Sequence, residues 1–418
     1  MTEPDEESFG YKSAMDMPSF IEMKKKVDGL ALFALMLSNE DRAFLKEGKA
    51  SMYGLARDVD QFYALLGPRH WIFHDKLPTS YIRESVLSAA SVGDAERAMC
   101  ALYEDSERMK FLVMGMMRFP EMRARQTLIE HARRDFEEKR YYAVVLNLLT
   151  VMDGFTNDVE KIHRGLHARS AEEVQSYDTA VGHHMGLTST QASFRRGFSL
   201  RIHDEHFDLS RNGILHGNLT NYDNVIVASK AWNRLFAVVD WASSLEREAK
   251  PKEPEPTWSE VMQKVRALSE HKKSVAAWTA SSGVIGSSDD HDVHSSTSAA
   301  ATFLELWSRS NWGHLAGHFM QIGKGDYALP TPKEVRSSFS PYKLDAFRIV
   351  SYETQAPSIA EVQVELEVGG QTFPAVLRMA FAAEDGSSRV EGLQEGAWKM
   401  VFRSPEVFNR DLVKVAKY

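Results

Sequence analysis

From about Phe20 to Glu246 apolar residues recur at spacings of three and four while polar residues fill the opposite face, which predicts a helical array of roughly 230 residues. Leu30, Phe33, Ala34 and Leu37 carry the pattern, as do Leu146, Leu149, Met152 and Phe155. Prolines are few in this half, and Pro68, Pro78 and Pro120 fall where helices are expected to begin or end. The run Lys250-Pro251-Lys252-Glu253-Pro254-Glu255-Pro256 cannot continue a helix, because each proline fixes φ and restricts the residue before it. Thr257-x-x-Glu260 then reads as the capping box of a further helix reaching about Ala280. Ser281–Ser298, rich in serine and carrying Asp289-Asp290-His291-Asp292, reads as a mobile linker.

Beyond that stretch the spacing changes. One helix with Phe303, Leu306, Trp307, Leu315 and Phe319 on its apolar positions precedes four β-branched, alternating runs, Ala346–Tyr352, Ala360–Val368, Phe373–Ala382 and Ala397–Phe402. Gly369-Gly370 between two of them signals a hairpin. The expected fold class is therefore multidomain: an all-α helical bundle followed by a small α+β domain with a curved antiparallel sheet. The divisions expected are an N-terminal helical extension over 1–118, a bundle over 119–249, a linker with one helix over 250–297 and the α+β domain over 298–418.

Composition narrows the function classes. With 418 residues and 43% hydrophobic content the chain can bury large cores. A net charge of −8 argues against indiscriminate coating of nucleic acid, so any such site has to be a local cleft. The single cysteine, Cys100, leaves no internal disulfide framework and fits a reducing compartment. Thr2-Glu3-Pro4-Asp5-Glu6-Glu7 is acidic where a secretory leader would be basic. The longest apolar stretches, Leu30–Leu37 and Ala143–Met152, fall well short of the roughly 20 residues of a bilayer span. A cytoplasmic protein with no membrane contact is expected.

The segment with the clearest chemistry is Arg211-Asn212-Gly213-Ile214-Leu215-His216-Gly217. An arginine whose planar fork grips a phosphodiester, near a histidine that moves a proton close to neutral pH, is a minimal kit for cutting RNA. The same spacing recurs at Arg69/His74, Arg201/His206 and Arg309/His314. There the surroundings suggest a packed segment beside Trp71-Ile72-Phe73, a solvated charged face over 201–208, and packing or a pocket wall near Trp312. At Arg211/His216, Gly217 can end a helix, Asn212 and His216 share a helical face, and Ile214 and Leu215 can anchor the turn in the core.

These residues resemble the motif of the HEPN superfamily (higher eukaryotes and prokaryotes nucleotide-binding), α-helical domains carrying Arg-x4–6-His with a polar residue after the arginine. Asp135-Phe136-Glu137-Glu138-Lys139-Arg140 is similar to the Glu-x3-Lys-Arg element of some members, with Asp for Glu, and Asp153-Gly154, Arg211–Gly217 and Asn218-x3-Tyr222 follow in order, as in abortive-infection-type proteins. The resemblance covers about residues 119–249. It implies metal-independent RNA cleavage with Arg211 as phosphate clamp, His216 as proton-transfer group and Asn212 orienting His216 or donating to phosphate. It also points to Asp135, Lys139, Arg140 and Tyr222 as substrate-binding residues, to RNA as partner, to a homodimer with two motifs facing one cleft, and to a stress or antiviral defence role in bacteria. The alternative is a non-catalytic nucleotide- or protein-binding module, with Arg211 paired to a bundle carboxylate and His216 at a helix end.

The C-terminal stretch resembles the cone-shaped nuclear transport factor 2-like (SnoaL-like) fold. That fold hosts enzymes, ligand sensors and dimerisation modules, so a small-molecule ligand or a protein partner is open. Trp307, Trp312, His314 and His318 either line its pocket or pack its core. No cofactor and no metal is expected: neither His183-His184 nor His291 and His294 with Asp289–Asp292 comes with a convincing ligand set.

Overall fold

The three-and-four spacing is realised as a succession of helices: α1 (Pro18–Leu32), α2 (Asn39–Leu66), α3 (Thr79–Tyr81, continuing into a π turn to Val86), α4 (Val92–Glu104), α5 (Ser106–Met116), α6 (Pro120–Arg123), α7 (Gln126–Glu137) and α8 (Tyr141–Glu160). After a long connection come α9 (Leu187–Arg195), α10 (Arg211–Leu215), α11 (Val225–Glu248) and α12 (Trp258–Ala277). The structure, a computed structural model, describes residues 10–32, 39–170, 172–174, 178–249, 258–285, 293–321 and 329–416. The proline-rich stop, the capping Thr257, the Asp289–Asp292 run and Phe33, Ala34 and Leu37 lie outside them. Residues 161–224 depart from the expected array: apart from α9 and α10, the described residues there form short 3-10 helices, turns and irregular segments.

Two compact units emerge, Met1–Val265 and Arg266–Tyr418. The core of the first runs without interruption from Ala14 to Ala242, so the segments before and after residue 118 share it. Its axis is α11, which is apolar on nearly every face and buried at every position from Val227 to Ala242. Asn224 caps this helix, its side chain accepting the Val227 N–H at 3.0 Å.

Polar residues inside so enclosed a helix need partners. Asn233 exchanges hydrogen bonds with both backbone groups of Ile72, at 2.9 and 2.8 Å. Asp240 accepts the Asp75 N–H at 2.6 Å. Lys230 donates to Phe207 O at 2.8 Å and lies near the carboxylates of Asp208 (3.2 Å) and Glu96 (3.4 Å). Through Ile72 and Asp75 the Trp71–Asp75 segment is thus a strap laid on α11.

In the second unit α13 (Ser295–Ser308), α14 (Trp312–Ala316) and α15 (Pro332–Phe339) accompany an antiparallel sheet, β1 (Ser282–Val284), β2 (Leu344–Ala356), β3 (Ile359–Val368), β4 (Gln371–Ala382) and β5 (Ala397–Met400), paired in chain order. The four expected strands are β2 to β5, and Gly369-Gly370 forms the two-residue turn beyond the Val368/Gln371 pair. Alternation holds along β3, where Val362, Val364, Leu366 and Val368 turn inward. Their face packs with α13, which buries Phe303, Leu304 and Trp307. The single helix expected over 303–319 breaks at Ser310, which takes a left-handed φ of 54°.

Part of the expected linker is ordered instead. Ser281 donates its N–H to Thr354 Oγ1 (2.6 Å) and accepts the Thr354 N–H (2.8 Å), β1 extends the sheet, and Ile285 is buried. Short serine side chains tolerate a strand as readily as a loop when a neighbouring edge supplies partners. Among the described residues, no helix is long and apolar enough to cross a membrane.

Candidate functional site

Helix α10 is built from the motif itself. It ends in a Schellman arrangement: His216 is the C-cap, Gly217 takes φ +70°, its N–H reaches Ile214 O (3.0 Å) and the Asn218 N–H reaches Gly213 O (2.9 Å). Gly213 allows the turn to sit close, because a Cβ there would stand 2.6 Å from the Leu219 side chain and 2.7 Å from the Phe198 ring. Ile214 is buried as expected. Leu215 is 42% exposed and so does not anchor the turn, because a five-residue helix has only one inward face.

Arg211 is held at the start of this helix. Its Nη2 donates to Asp153 Oδ2 on α8 at 2.9 Å and its Nη1 to Asn212 Oδ1 at 3.2 Å, with only 14% of the side chain exposed. Asp153 Oδ1 meanwhile accepts the Leu166 N–H at 2.9 Å. The pair thereby joins α8, α10 and the segment following α8. Asn212 turns away from His216, donating its Nδ2 to Arg195 O at 2.7 Å, so it positions Arg211 and the end of α9 rather than the histidine.

His216 lies at the other end of α10, about 7.5 Å along the axis by helical rise. It is exposed and makes no side-chain hydrogen bond or ion pair among the described residues. One short helix thus carries an arginine fixed by two partners at its start and a histidine open to solvent at its end. Such a pair can grip an anionic oxygen with its remaining donors while the ring exchanges a proton.

The residues expected to bind substrate do not join this pair. Asp135 accepts from Arg140 Nε (2.9 Å) and Nη2 (2.5 Å), Glu138 also pairs with Arg140, and Lys139 is an exposed left-handed residue in the α7–α8 turn. They form a self-neutralised turn. It sits at the N-terminal end of α8, 13 residues before Asp153, or about 20 Å along that helix. Tyr222 is half-buried at the same end, where its neighbour Asp223 accepts the Tyr142 N–H at 2.9 Å. Burial, and then the Asp223 charge, raise its phenol above the ordinary range.

The rival spacings resolve differently. His74 is fully buried: its Nδ1 accepts the Lys76 N–H (3.2 Å), so Nε2 carries the hydrogen and donates to Tyr103 Oη (2.9 Å). Burial pushes its pKa down to about 3, with Arg108 and Lys76 adding to the effect. His206 departs from the solvated face expected for it. It is half-buried, its Nε2 lies 3.2 Å from Ser210 Oγ, and burial lowers its pKa against the opposing Asp208 charge. His314 is exposed and bonds its Nδ1 to Asn311 Oδ1 at 3.0 Å.

Trp307 belongs to the core of the second unit, donating its Nε1 to Tyr342 O at 2.9 Å and meeting Phe339 edge-on. Trp312 is half-buried. A cleft of about 1120 Å³ in that unit is lined by Phe319, Gln321, Arg389, Gln394 and Lys399 among others, and none of Trp307, Trp312 or His314 borders it. His183 stacks on Tyr63 at 4.2 Å beside Asp60, and His294 caps α13 and pairs with Glu391 at 3.3 Å. No group of three metal-ligating side chains occurs among the described residues.

Asp153, a landmark of the resemblance with no role assigned to it, proves to be the partner of Arg211. Its signal is a carboxylate among the buried apolar positions of α8, where an unpaired charge would be costly. No protein-family profile, curated protein or solved structure matches the chain.

Proposed function

We propose that the first unit is a metal-independent endoribonuclease of the HEPN type, cutting RNA through Arg211 and His216. One observation carries the reading: a single short helix presents an exposed histidine at one end and, at the other, an arginine immobilised by Asp153 and Asn212. His216 takes the proton from a ribose 2′-hydroxyl, the oxygen attacks its own phosphorus, and the P–O5′ bond breaks as the 5′ oxygen takes up a proton that His216 gives back by way of solvent. The products are a 2′,3′-cyclic phosphate and a 5′-hydroxyl end. Arg211 stabilises the charge that builds on the phosphoryl oxygens. Two protomers facing one cleft, a cytoplasmic location, a role in bacterial stress or antiviral defence, and a nuclear transport factor 2-like second unit that takes a ligand or dimerises belong to the same proposal.

The test is substitution. His216→Ala and Arg211→Ala should each lower cleavage by at least about a hundredfold, and the double variant should be scarcely worse than either alone. The second reading, a non-catalytic interaction module, is favoured by the Arg211–Asp153 ion pair, which already occupies part of the guanidinium. It predicts loss of stability on Arg211→Ala with no RNA cleavage to lose.

A further inference from the structure

Because Asp153 offsets much of the Arg211 charge, a phosphodiester at His216 needs other cations, and the chain supplies them on one neighbouring segment. Residues 195–203 and 209–222 contain no aspartate or glutamate in a chain of net charge −8, yet hold Arg195, Arg196, Arg201 and Arg211 with His203 and His216. Hydrogen bonds lay the first stretch alongside the second. Asn212 Nδ2 donates to Arg195 O (2.7 Å), Asn218 Nδ2 to Phe198 O (3.0 Å), Ile202 N–H to Asn218 O (2.7 Å) and Thr220 N–H to Ile202 O (3.3 Å), while His203 Nδ1 lies 3.1 Å from Thr220 Oγ1.

Arg195, Arg196 and Arg201 are exposed and make no ion pair among the described residues, unlike Arg83, Arg125, Arg133, Arg140 and Arg348, each of which faces a carboxylate. Arg196 lies over the Phe198 ring at 5.5 Å, which holds its guanidinium near the surface. Asp204 and Glu205 close the strip beyond His203. Phe207, 43% exposed just past them, offers a ring face for an unstacked base, a feature that duplexes do not present.

We infer that Arg195, Arg196, Arg201 and His203 form a strip that binds the phosphate backbone of single-stranded RNA on the side of His216 and feeds it to the cleavage site. The inference rests on the proposed nuclease reading for the direction of that RNA, but its binding test does not depend on cleavage. These four are binding residues and take no part in proton transfer.

The experiment uses the full chain carrying His216→Ala, with a labelled oligouridylate as probe and its duplex with oligoadenylate as comparison, titrated between about 50 and 200 mM salt. Adding Arg196→Ala and Arg201→Ala should weaken oligouridylate binding at least about tenfold and lower the log–log salt slope by about 1.4, the share of two single-strand phosphate contacts. The corresponding double lysine variant should keep most of the affinity. Arg42→Ala with Arg57→Ala, which removes two exposed arginines from α2, should change little.

Equal affinity with and without Arg196 and Arg201, an equal loss in the α2 control, or no binding of oligouridylate by the parent would overturn the strip. In the chain with His216 intact, the strip variant should raise KM and leave kcat nearly unchanged. Strip-dependent binding in a chain that never cleaves would uphold the strip and sink the nuclease reading. Cleavage that ignores Arg196 and Arg201 would do the reverse.

Discussion

Replacing Asp153 with asparagine separates the two roles that Arg211 can play. The substitution keeps an amide oxygen for the Leu166 N–H but removes the charge opposite Arg211 Nη2. With side-chain exposures of 14% and 22%, the pair is neither a solvated surface contact nor a sealed core pair. A hydrogen bond to a charged partner in such a setting contributes about 2 kcal/mol. In a unit of this size that corresponds to a fall in Tm of roughly 4–8 °C.

Arg211→Ala should lose a similar amount, and the double variant should show a coupling of about 2 kcal/mol, because both single changes break one interaction. Activity should partition differently. Asp153→Asn frees more of the guanidinium charge while loosening its position, so kcat should fall with KM for RNA no higher than in the parent. Arg211→Ala should abolish turnover whether or not Asp153 is present. Thermal melts and initial rates on the four proteins supply the cycle. If activity in all variants merely tracks the folded fraction, Arg211 is a structural partner of α8 and the clamp assignment is wrong.

Gly213→Ala should destabilise the first unit by about 1–3 kcal/mol in urea titrations, because its Cβ meets Leu219 and Phe198 inside van der Waals distance; a neutral result would mean that the loop yields freely. Burial, reinforced by the Asp75 charge, pushes the Asp240 carboxyl up to about 7, so its contribution to stability is complete below pH 4 and is lost as pH rises through 7. Buried neutral His74 acts in the opposite sense, losing stability as pH falls from about 6.5 towards 3. The difference in Tm between Asp240→Asn and the parent isolates the first effect: it should move in favour of the variant from pH 4 to pH 7, and a flat difference would refute it. Trp307→Ala should cost the second unit about 3–5 kcal/mol, as loss of a core indole does; a change under 1 kcal/mol would return Trp307 to a pocket wall.

Periodicity carried the helices and strands because both rest on local spacing: β3 alternates as written, and α8 buries Leu149, Met152 and Phe155. Its failures come from tertiary partners. Leu146 keeps the apolar spacing of α8 yet is 38% exposed. Ser281–Val284 looks like linker until Thr354 and Tyr352 supply a strand edge. The motif was legible as far as Arg211, His216 and the helix end at Gly217, all set within seven residues. The Asp153 partner, 58 positions away, and the diversion of Asn212 to Arg195 were not, because they depend on how α8 and α9 approach α10. For Asp135, Lys139 and Arg140 the sequence shows charge, but not that Arg140 pairs with Asp135 and Glu138.

Cleavage through Arg211 and His216 fixes the products that the unaltered chain must leave. Incubated with single-stranded RNA in excess chelator, it should leave 2′,3′-cyclic phosphate and 5′-hydroxyl ends, and a single 2′-deoxy substitution at the cleaved position should block cutting there. The His216→Ala chain should yield neither end. Strict dependence on added divalent metal, cleavage of the 2′-deoxy position, or equal cleavage by His216→Ala would contradict the account.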